Sequence, residues 1–547
     1  MRPLQSFPDS SASLRPGSLL RTALVAMGFA TLFFMWIIKP AVEPKQDALY
    51  HWSGPASNFF IPTAFDFLGF WFVLVLLLLA ARSPGRFRAT IWGGLLSFTP
   101  WFVCLTLHLV DLIPNTHQLD RLLFLLGLTT TLLIAPLWRP SIAVPLERVI
   151  DVTSTVLVFP GLFGVYLLFQ LAFLGLQASR HMGKFPLHHT AVATIQPHRV
   201  IWIVFDELSY QQTFERRFPG LQLPALDALA ATSTTFTDAR PFDIFTENVL
   251  PGLLAGQPLD DIRTTSSVEL SVHNKLSGRW QTFNPYETVL QDALNRGFST
   301  AVAGWYNPYC RIVAAVVDSC YWTLRFPISM MEPSNSLLSN VLAPVKRFAW
   351  GVLSVTPGPV FFYLIKQLHI PNQTALIRQS QIDDYLYLET HANQLLRDRS
   401  YGFILLHLPV PHPRGIYDRR TGRFSTTGTA SYIDNLALAD RTLGDIRRTL
   451  EQTGQWDSST VIVMGDHSFR TKLWETAHVW TAEDEIATHG GQYDPRPAYI
   501  VKLPNQTTAA RIDAPFQTVN TRKLFDALMS HQINTPADLA AWARTTH

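Results

Sequence analysis

Cysteine and charge are both scarce in this chain. Only 3 of its 547 residues are cysteine, too few for a disulfide-stapled scaffold or a thiolate metal centre. Charged residues make up 16% and hydrophobic residues 48%, too apolar a balance for a soluble protein of this length. The formal net charge is +3 and no dense basic cluster occurs, so the chain lacks the electrostatic footprint of a nucleic-acid binder. No small-residue cleavage site follows the first apolar segment, and further segments come after it. That segment is therefore not read as a removable signal peptide.

The apolar excess sits in the first third, in segments at about 22–38, 61–81, 90–113, 121–138 and 152–176. A hydrocarbon core of about 30 Å is crossed by about 20 apolar residues in a helix, so a bundle of about five transmembrane helices is expected over 1–180. Arg2, Arg15 and Arg21 precede the first segment, Arg82, Arg86 and Arg88 follow the second, and Arg139 and Arg148 follow the fourth. The alternate loops carry fewer cations, Lys39 and Lys45 in one and Arg121 at the edge of the other. The excess of Arg places the N-terminus in the cytoplasm, and five spans put everything beyond about residue 180 outside it. The expected setting is a multi-pass membrane protein with its C-terminal domain outside the cytoplasm.

Residues 181–197 form a polar connector whose histidines, among them His181, His188 and His189, read as a solvated linker. From 198 to 547 apolar strands alternate with helices. Strands are expected at 199–205, 298–303, 401–407, 459–464 and 498–502, and helices at about 224–231, 286–296 and 430–453. The continuous apolar run at 199–205 has the pattern of a strand buried on both faces of a parallel sheet. Strand-helix alternation predicts an α/β domain with a mostly parallel central sheet. Cys310 and Cys320, in an extracytoplasmic domain, have the redox setting to close a small disulfide loop. Residues 351–365 are apolar but short and broken by prolines, which suits a lid, an interfacial element or a buried loop better than a sixth span.

Two of these strands end in chemistry. The run from Arg199 closes on Asp206 and Glu207, and the run from Val461 closes on Asp466 and His467. Between them Thr246 heads a short turn into a small apolar helix ending at Gly256. Acid and imidazole delivered at strand ends, with a hydroxyl at a helix N-terminus, make a metal-activated nucleophile for an anionic ester. Asp206, Asp466, His467 and Thr246 supply a mixed oxygen and nitrogen shell, which favours Zn²⁺ or Mn²⁺ over Ca²⁺.

The order of these motifs resembles the sulfatase and alkaline phosphatase superfamily, and in layout its membrane-bound branch, the phosphoethanolamine and phosphoglycerol (lipoteichoic acid synthase-like) transferases. The resemblance implies Asp206 as a metal ligand, with Glu207 in the place of the second acid found in sulfatases. It implies Thr246 as the nucleophile, Leu253-to-Gly256 as the turn ten residues on, and Asp466 and His467 as further ligands. His412, in a Pro-His-Pro setting, and His489, ahead of Pro497-to-Pro504, would hold non-bridging oxygens or move a proton. His407 is an alternative to His412 at the metal, and His478 an alternative to His489. Asp440, in mid-helix, is read as structural.

The implied activity is a phosphotransfer through threonine, from a phospholipid-type donor to an envelope glycan or lipid acceptor. The alternatives are an extracytoplasmic hydrolase of the same superfamily, a phosphodiesterase or sulfatase, and a non-catalytic envelope-binding domain. Classical sulfatases convert a cysteine or serine to formylglycine. Thr246 cannot undergo that conversion, which argues for phosphate over sulfate. The usual Asp-His-Gly is Asp466-His467-Ser468 here, and the loop beyond it lacks the usual Gly-Glu.

Overall fold

The structure, a computed structural model, describes residues 16–42, 57–83, 85–106, 143–180, 187–188, 198–264, 270–325, 338, 340–342, 345, 373–426, 430–477 and 479–546. These fall into two compact units, one built on the helices before Ser179 together with residues 334–368, the other on the remaining elements from Val200 onward.

The first unit contains α1 (Pro16–Val42), α2 (Ser57–Ala80), α3 (Arg86–Thr106) and α4 (Ala143–Arg180). Among the described residues three stretches are long and apolar enough to cross a membrane, Leu19–Lys39, Phe60–Ala80 and Val149–Leu176. The expected count of five is thus met by three. The third expected segment falls partly within α3, and its part beyond Thr106 lies outside the described residues. The fourth, at 121–138, lies outside the described residues, as do 351–365 and most of the 181–197 connector. α1 and α4 approach through small residues. A Cβ on Gly28 would stand 2.2 Å from the Leu157 carbonyl oxygen, and one on Gly161 would stand 2.2 Å from that of Leu24. Backbones packed this closely are typical of helix pairs in lipid, where small side chains allow dense contact.

The second unit is organised by an eight-stranded sheet. Its strands are β1 (Val200–Phe205), β2 (Thr234–Phe236), β3 (Thr300–Trp305), β4 (Ser319–Thr323), β5 (Phe403–Leu408), β6 (Thr460–Gly465), β7 (Tyr499–Lys502) and β8 (Ala510–Ile512), in the order β8-β2-β7-β6-β1-β5-β3-β4. Five neighbours, β6-β1-β5-β3-β4, run parallel, while β7 is antiparallel to β6 and β2. The mostly parallel sheet expected from the strand-helix alternation is present, with each expected strand displaced by at most two residues.

Alternation along β1 explains the two cores. Trp202 and Val204 enter one apolar cluster, while Ile201, Ile203 and Phe205 enter the other. Successive side chains in a strand point to opposite faces, so a strand without a polar face is stable only between two layers. One face is covered by α5 (Thr246–Ala255), α6 (Val289–Asn295) and α9 (Thr521–Met529), which contribute Leu250, Leu290 and Phe525. The other is covered by α7 (Gln373–Arg397) and α8 (Tyr432–Gln452), with Leu388 and Leu436. Each such buried side chain contributes about 1.5–3 kcal/mol. α8 starts where Ser431 and Asp434 make a reciprocal capping box. Asp440, read as structural, accepts from the Leu226 N–H at 2.8 Å and fastens the short helix Pro224–Ala230. Cys310 and Cys320 are joined as a disulfide, with Cα atoms 5.5 Å apart.

Candidate active site

Register brings the functional ends together. Phe205 pairs with Gly465 and Leu408, so β1, β5 and β6 finish level. Asp206 follows β1, Asp466 and His467 follow β6, and His407 is the second-last residue of β5. Gly465 is required there, because a Cβ would stand 2.6 Å from the Leu208 carbonyl oxygen, which lies over the strand end. Thr246 arrives from outside the sheet on α5. The Asp243 carboxylate shapes its approach by accepting from the N–H groups of Ile244 at 2.6 Å and Phe245 at 3.0 Å. No side chain caps α5, and the positive end of its backbone dipole lies at Thr246.

The Thr246 hydroxyl is buried and lies 2.9 Å from Asp466 Oδ2, 3.2 Å from His467 Nε2 and 3.3 Å from Asp206 Oδ2. His407 Nε2 is 3.6 Å from Asp206 Oδ2. Ligand atoms of Asp206, His407 and Asp466, and of Asp206, Glu207 and His467, lie within 4.8 Å of one another in each group. His467 Nδ1 is held at 3.0 Å by the Ser468 carbonyl, which turns Nε2 toward the cluster. Tyr309 Oη does the same for His407 by contacting Nδ1 at 2.9 Å. Asn307 donates from Nδ2 to the Thr246 carbonyl at 3.2 Å.

The electrostatics of the cluster fit a divalent cation. Burial first, and then the charges of Asp466 and Glu207, push the Asp206 carboxyl well above the usual range. Burial lowers His407 to about 4, and burial with Arg470 lowers His467 to about 3. Both imidazoles are therefore neutral, the form that binds a metal. Asp206 Oδ1 and His407 Nε2 are buried without a hydrogen-bond partner, an arrangement that costs free energy unless a ligand completes it. Two carboxylates, two neutral imidazoles and a hydroxyl are the donor types such an ion takes.

Glu207 has other partners. Its oxygens accept from the Arg470 N–H at 3.0 Å, Arg470 Nε at 2.8 Å, Arg470 Nη2, and Trp474 Nε1 at 2.9 and 3.0 Å. Burial pulls the Arg470 guanidinium pKa down, but Glu207, Asp206 and Asp466 together outweigh it and keep the group charged. His412 stands beside this pair, with Nε2 4.0 Å from Glu207 Oε1 and its ring edge-on to Trp305 and Trp474. Its Nδ1 is held by the Pro413 carbonyl at 3.0 Å. Burial, then Arg470, depresses its pKa well below the ordinary value.

The structure thus brings together Asp206, Thr246, Asp466 and His467, with Glu207 and His412 alongside. His489 lies on an exposed turn after the helix Ala482–Ala487, with a left-handed φ of 51°. The two glycines behind it, also at positive φ, carry the chain around before β7. His478 lies outside the described residues. Sequence reasoning missed Arg470, Tyr309, Asn307 and Trp474. An Arg and a Trp at four and eight residues past Asp466 were the signal for two of them.

The sulfatase family model matches residues 198–499, more than half of the chain, and the chain belongs to the sulfatase family. It is accordingly an enzyme of the sulfatase family, whose members depend on a metal, and its Asp and His residues form a cluster that could hold one. Among solved structures it is similar to the lipoteichoic acid synthase LtaP from Listeria monocytogenes, at 11% identity and TM-score 0.35, covering 63% of this chain and 76% of that one. It is also similar to the phosphonate monoester hydrolase of Agrobacterium radiobacter, at 11% identity and TM-score 0.34, covering 61% and 73%. A third similarity is to BT1596, a 2-O GAG sulfatase, at 10% identity and TM-score 0.37, covering 64% and 74%. No curated protein matches the chain in sequence.

Proposed function

We propose that this protein is a membrane-bound, metal-dependent phosphotransferase that uses Thr246 as a covalent nucleophile. The observation that carries the reading is the Thr246 hydroxyl, buried at the start of α5 and within 3.3 Å of Asp466, His467 and Asp206. Asp206, Asp466, His467 and Thr246 would hold a divalent cation, Zn²⁺ or Mn²⁺ by the donor set, with His407 Nε2 3.6 Å from Asp206 Oδ2. Glu207 holds Arg470 in place instead of serving as a ligand. When bound, the ion lowers the pKa of the hydroxyl and polarises the ester.

The chain's own residues do the rest. The positive end of the α5 dipole and the Arg470 charge orient the anionic ester in line with the Thr246 oxygen. Attack forms a phosphothreonine and releases the donor alcohol. His412, whose Nδ1 is tied to Pro413, presents Nε2 to take the proton of the incoming acceptor hydroxyl in the second step. The donor is a phospholipid and the acceptor an envelope glycan or lipid. Three apolar helices support membrane residence, and the Arg-rich alternate loops with the Cys310–Cys320 disulfide support a catalytic domain outside the cytoplasm. The domain limits we assign are 1–180, 181–197 and 198–547.

The test is peptide mass on protein purified from its own membrane. A phosphate or phosphoalcohol adduct on Thr246, absent from Thr246→Ala, is expected, and its mass names the group moved. An unmodified Thr246 after incubation with phospholipid, in protein that retains its metal, would remove the covalent reading. Family membership favours one second reading, in which water replaces the acceptor and the enzyme is a phosphodiesterase or sulfatase.

A further inference from the structure

A cavity of about 440 Å³ lies at the far end of α5 from the Thr246 cluster. Thr246 begins that helix and Ala255, which lines the cavity, ends it. At 1.5 Å per residue the two ends are about 14 Å apart. The other walls are a three-stranded antiparallel sheet (Leu259–Thr264, Leu270–Asn274 and Arg279–Thr282) and the turn at 283–287. The volume lies within the range of small-molecule sites, about 300–1,000 Å³. The chain itself holds these walls in place. Arg522 on α9 donates from Nη1 to the Ala255 carbonyl at 2.9 Å and to the Glu287 carbonyl at 2.6 Å. The same guanidinium holds Asp292 at 2.7 and 3.1 Å, so one side chain ties the helix end to the turn.

Polar groups converge on this space. Gln257 Oε1 accepts from Asn274 Nδ2 at 3.1 Å and from Gln281 Nε2 at 2.7 Å. With that oxygen doubly used, the Gln257 amino group and the Gln281 carbonyl oxygen are left for a ligand. Asn284 Nδ2 donates to Glu287 Oε1 at 2.9 Å, which leaves Glu287 Oε2. Val272, paired with Gln281 across the sheet, and Phe283 supply apolar surface. This lining narrows the ligand. Among the described residues of the lining Glu287 is the one charge, so a phosphate or sulfate would meet a carboxylate and no cation. An acyl chain would desolvate two glutamines and a carboxylate without replacing their bonds to water. Sugar hydroxyls both donate and accept, so they satisfy the amino group and the free oxygens together. The C–H face of the ring then packs on Val272 and Phe283. We propose that this cavity binds a neutral pyranose ring of a glycan, at a site separate from Thr246. Such a site does not depend on phosphotransfer, and it holds the enzyme on a glycan whatever ester Thr246 attacks.

The test is saturation-transfer NMR on full-length protein in polyoxyethylene ether micelles, since glucoside and maltoside detergents carry sugars of their own. The probes are the methyl glycosides of glucose, galactose, mannose and N-acetylglucosamine. Saturable transfer is expected from at least one, with a Kd on the order of 1 mM, as suits a single ring. Gln281 and Glu287 are exposed, so each can be replaced without loss of core packing. In Gln281→Ala and in Glu287→Ala the Kd is expected to rise about tenfold, the effect of one or two hydrogen bonds, with the melting temperature unchanged. Thr246→Ala is expected to bind the sugar as the native protein does. Absence of saturable transfer from all four glycosides overturns the proposal, as does binding that both cavity substitutions leave unchanged. Binding abolished by Thr246→Ala or by inorganic phosphate would put the sugar at the Thr246 cluster and overturn it as well.

Discussion

Replacing Glu207 by alanine separates two roles that its position alone leaves equivalent, metal ligand and anchor for Arg470. The carboxylate takes the Arg470 N–H, two guanidinium nitrogens and Trp474 Nε1, and the Arg470 side chain is only 10% exposed. Breaking a buried ion pair by removing one partner costs about 3–5 kcal/mol, because the other charge remains desolvated. Asp206 and Asp466 also act on Arg470, so the lower end, about 3 kcal/mol, is expected. For a unit of this size that lowers the melting temperature by roughly 3–6 °C. Loss of a bound ion also lowers the melting temperature, so the assay is thermal unfolding with and without chelator, together with metal content by mass spectrometry. As an anchor, Glu207 leaves metal content unchanged on substitution, and Glu207→Ala melts lower even when stripped. As a ligand, it predicts metal loss, and in the stripped protein a gain in stability, since one of three crowded carboxylates is gone. A Glu207→Ala variant that loses its metal, or that melts no lower than the native protein in chelator, refutes the reasoning.

Three further outcomes follow from the same geometry. Tyr309→Phe removes the oxygen that fixes His407 Nδ1 and is expected to weaken the divalent ion at least tenfold in a chelator competition. Gly304→Ala places a Cβ 2.3 Å from the Tyr309 ring, an overpacking that should cost about 1–3 kcal/mol and be seen as a lower melting temperature. His412→Ala is expected to reduce kcat/KM about a hundredfold, while His489→Asn, which keeps a residue tolerant of positive φ, should change it less than twofold. A large loss in the His489 variant would return that residue to the site.

Legibility in the sequence followed the range of the contact. β1 and β6 were readable because each is a short apolar run ending in an acid, and no other local pattern satisfies a strand buried on both faces. Thr246 was readable as the head of a small helix. α8 was displaced by only two residues at its start, since its Ser431–Asp434 box is a local signal. His489 was named only from its distance ahead of β7, and distance along a loop does not fix direction where Gly490 and Gly491 turn it. The five-helix count depended on apolar length alone, and part of the third and all of the fourth expected segment lie outside the described residues.

The partners of Glu207 illustrate why the rest was hidden. Glu207 and Arg470 are 263 residues apart, and Tyr309 and His407 are 98 apart. No periodicity links such pairs, because they meet only after β6, β1, β5 and β3 have aligned in one register. Once Phe205, Gly465 and Leu408 are level, Asp206, Asp466 and His407 converge. Gly304, opposite His407 on β3, leaves the space that the Tyr309 ring fills. A parallel sheet therefore selects the residues of the site at its strand ends, while the next tier, which sets tautomers and holds charges, comes from loops the sheet brings near. The strand-end residues can be read from sequence, but that next tier becomes visible only in the folded chain. It is also where Glu207, an acid adjacent to a ligand in sequence, can hold a cation that belongs to the chain itself.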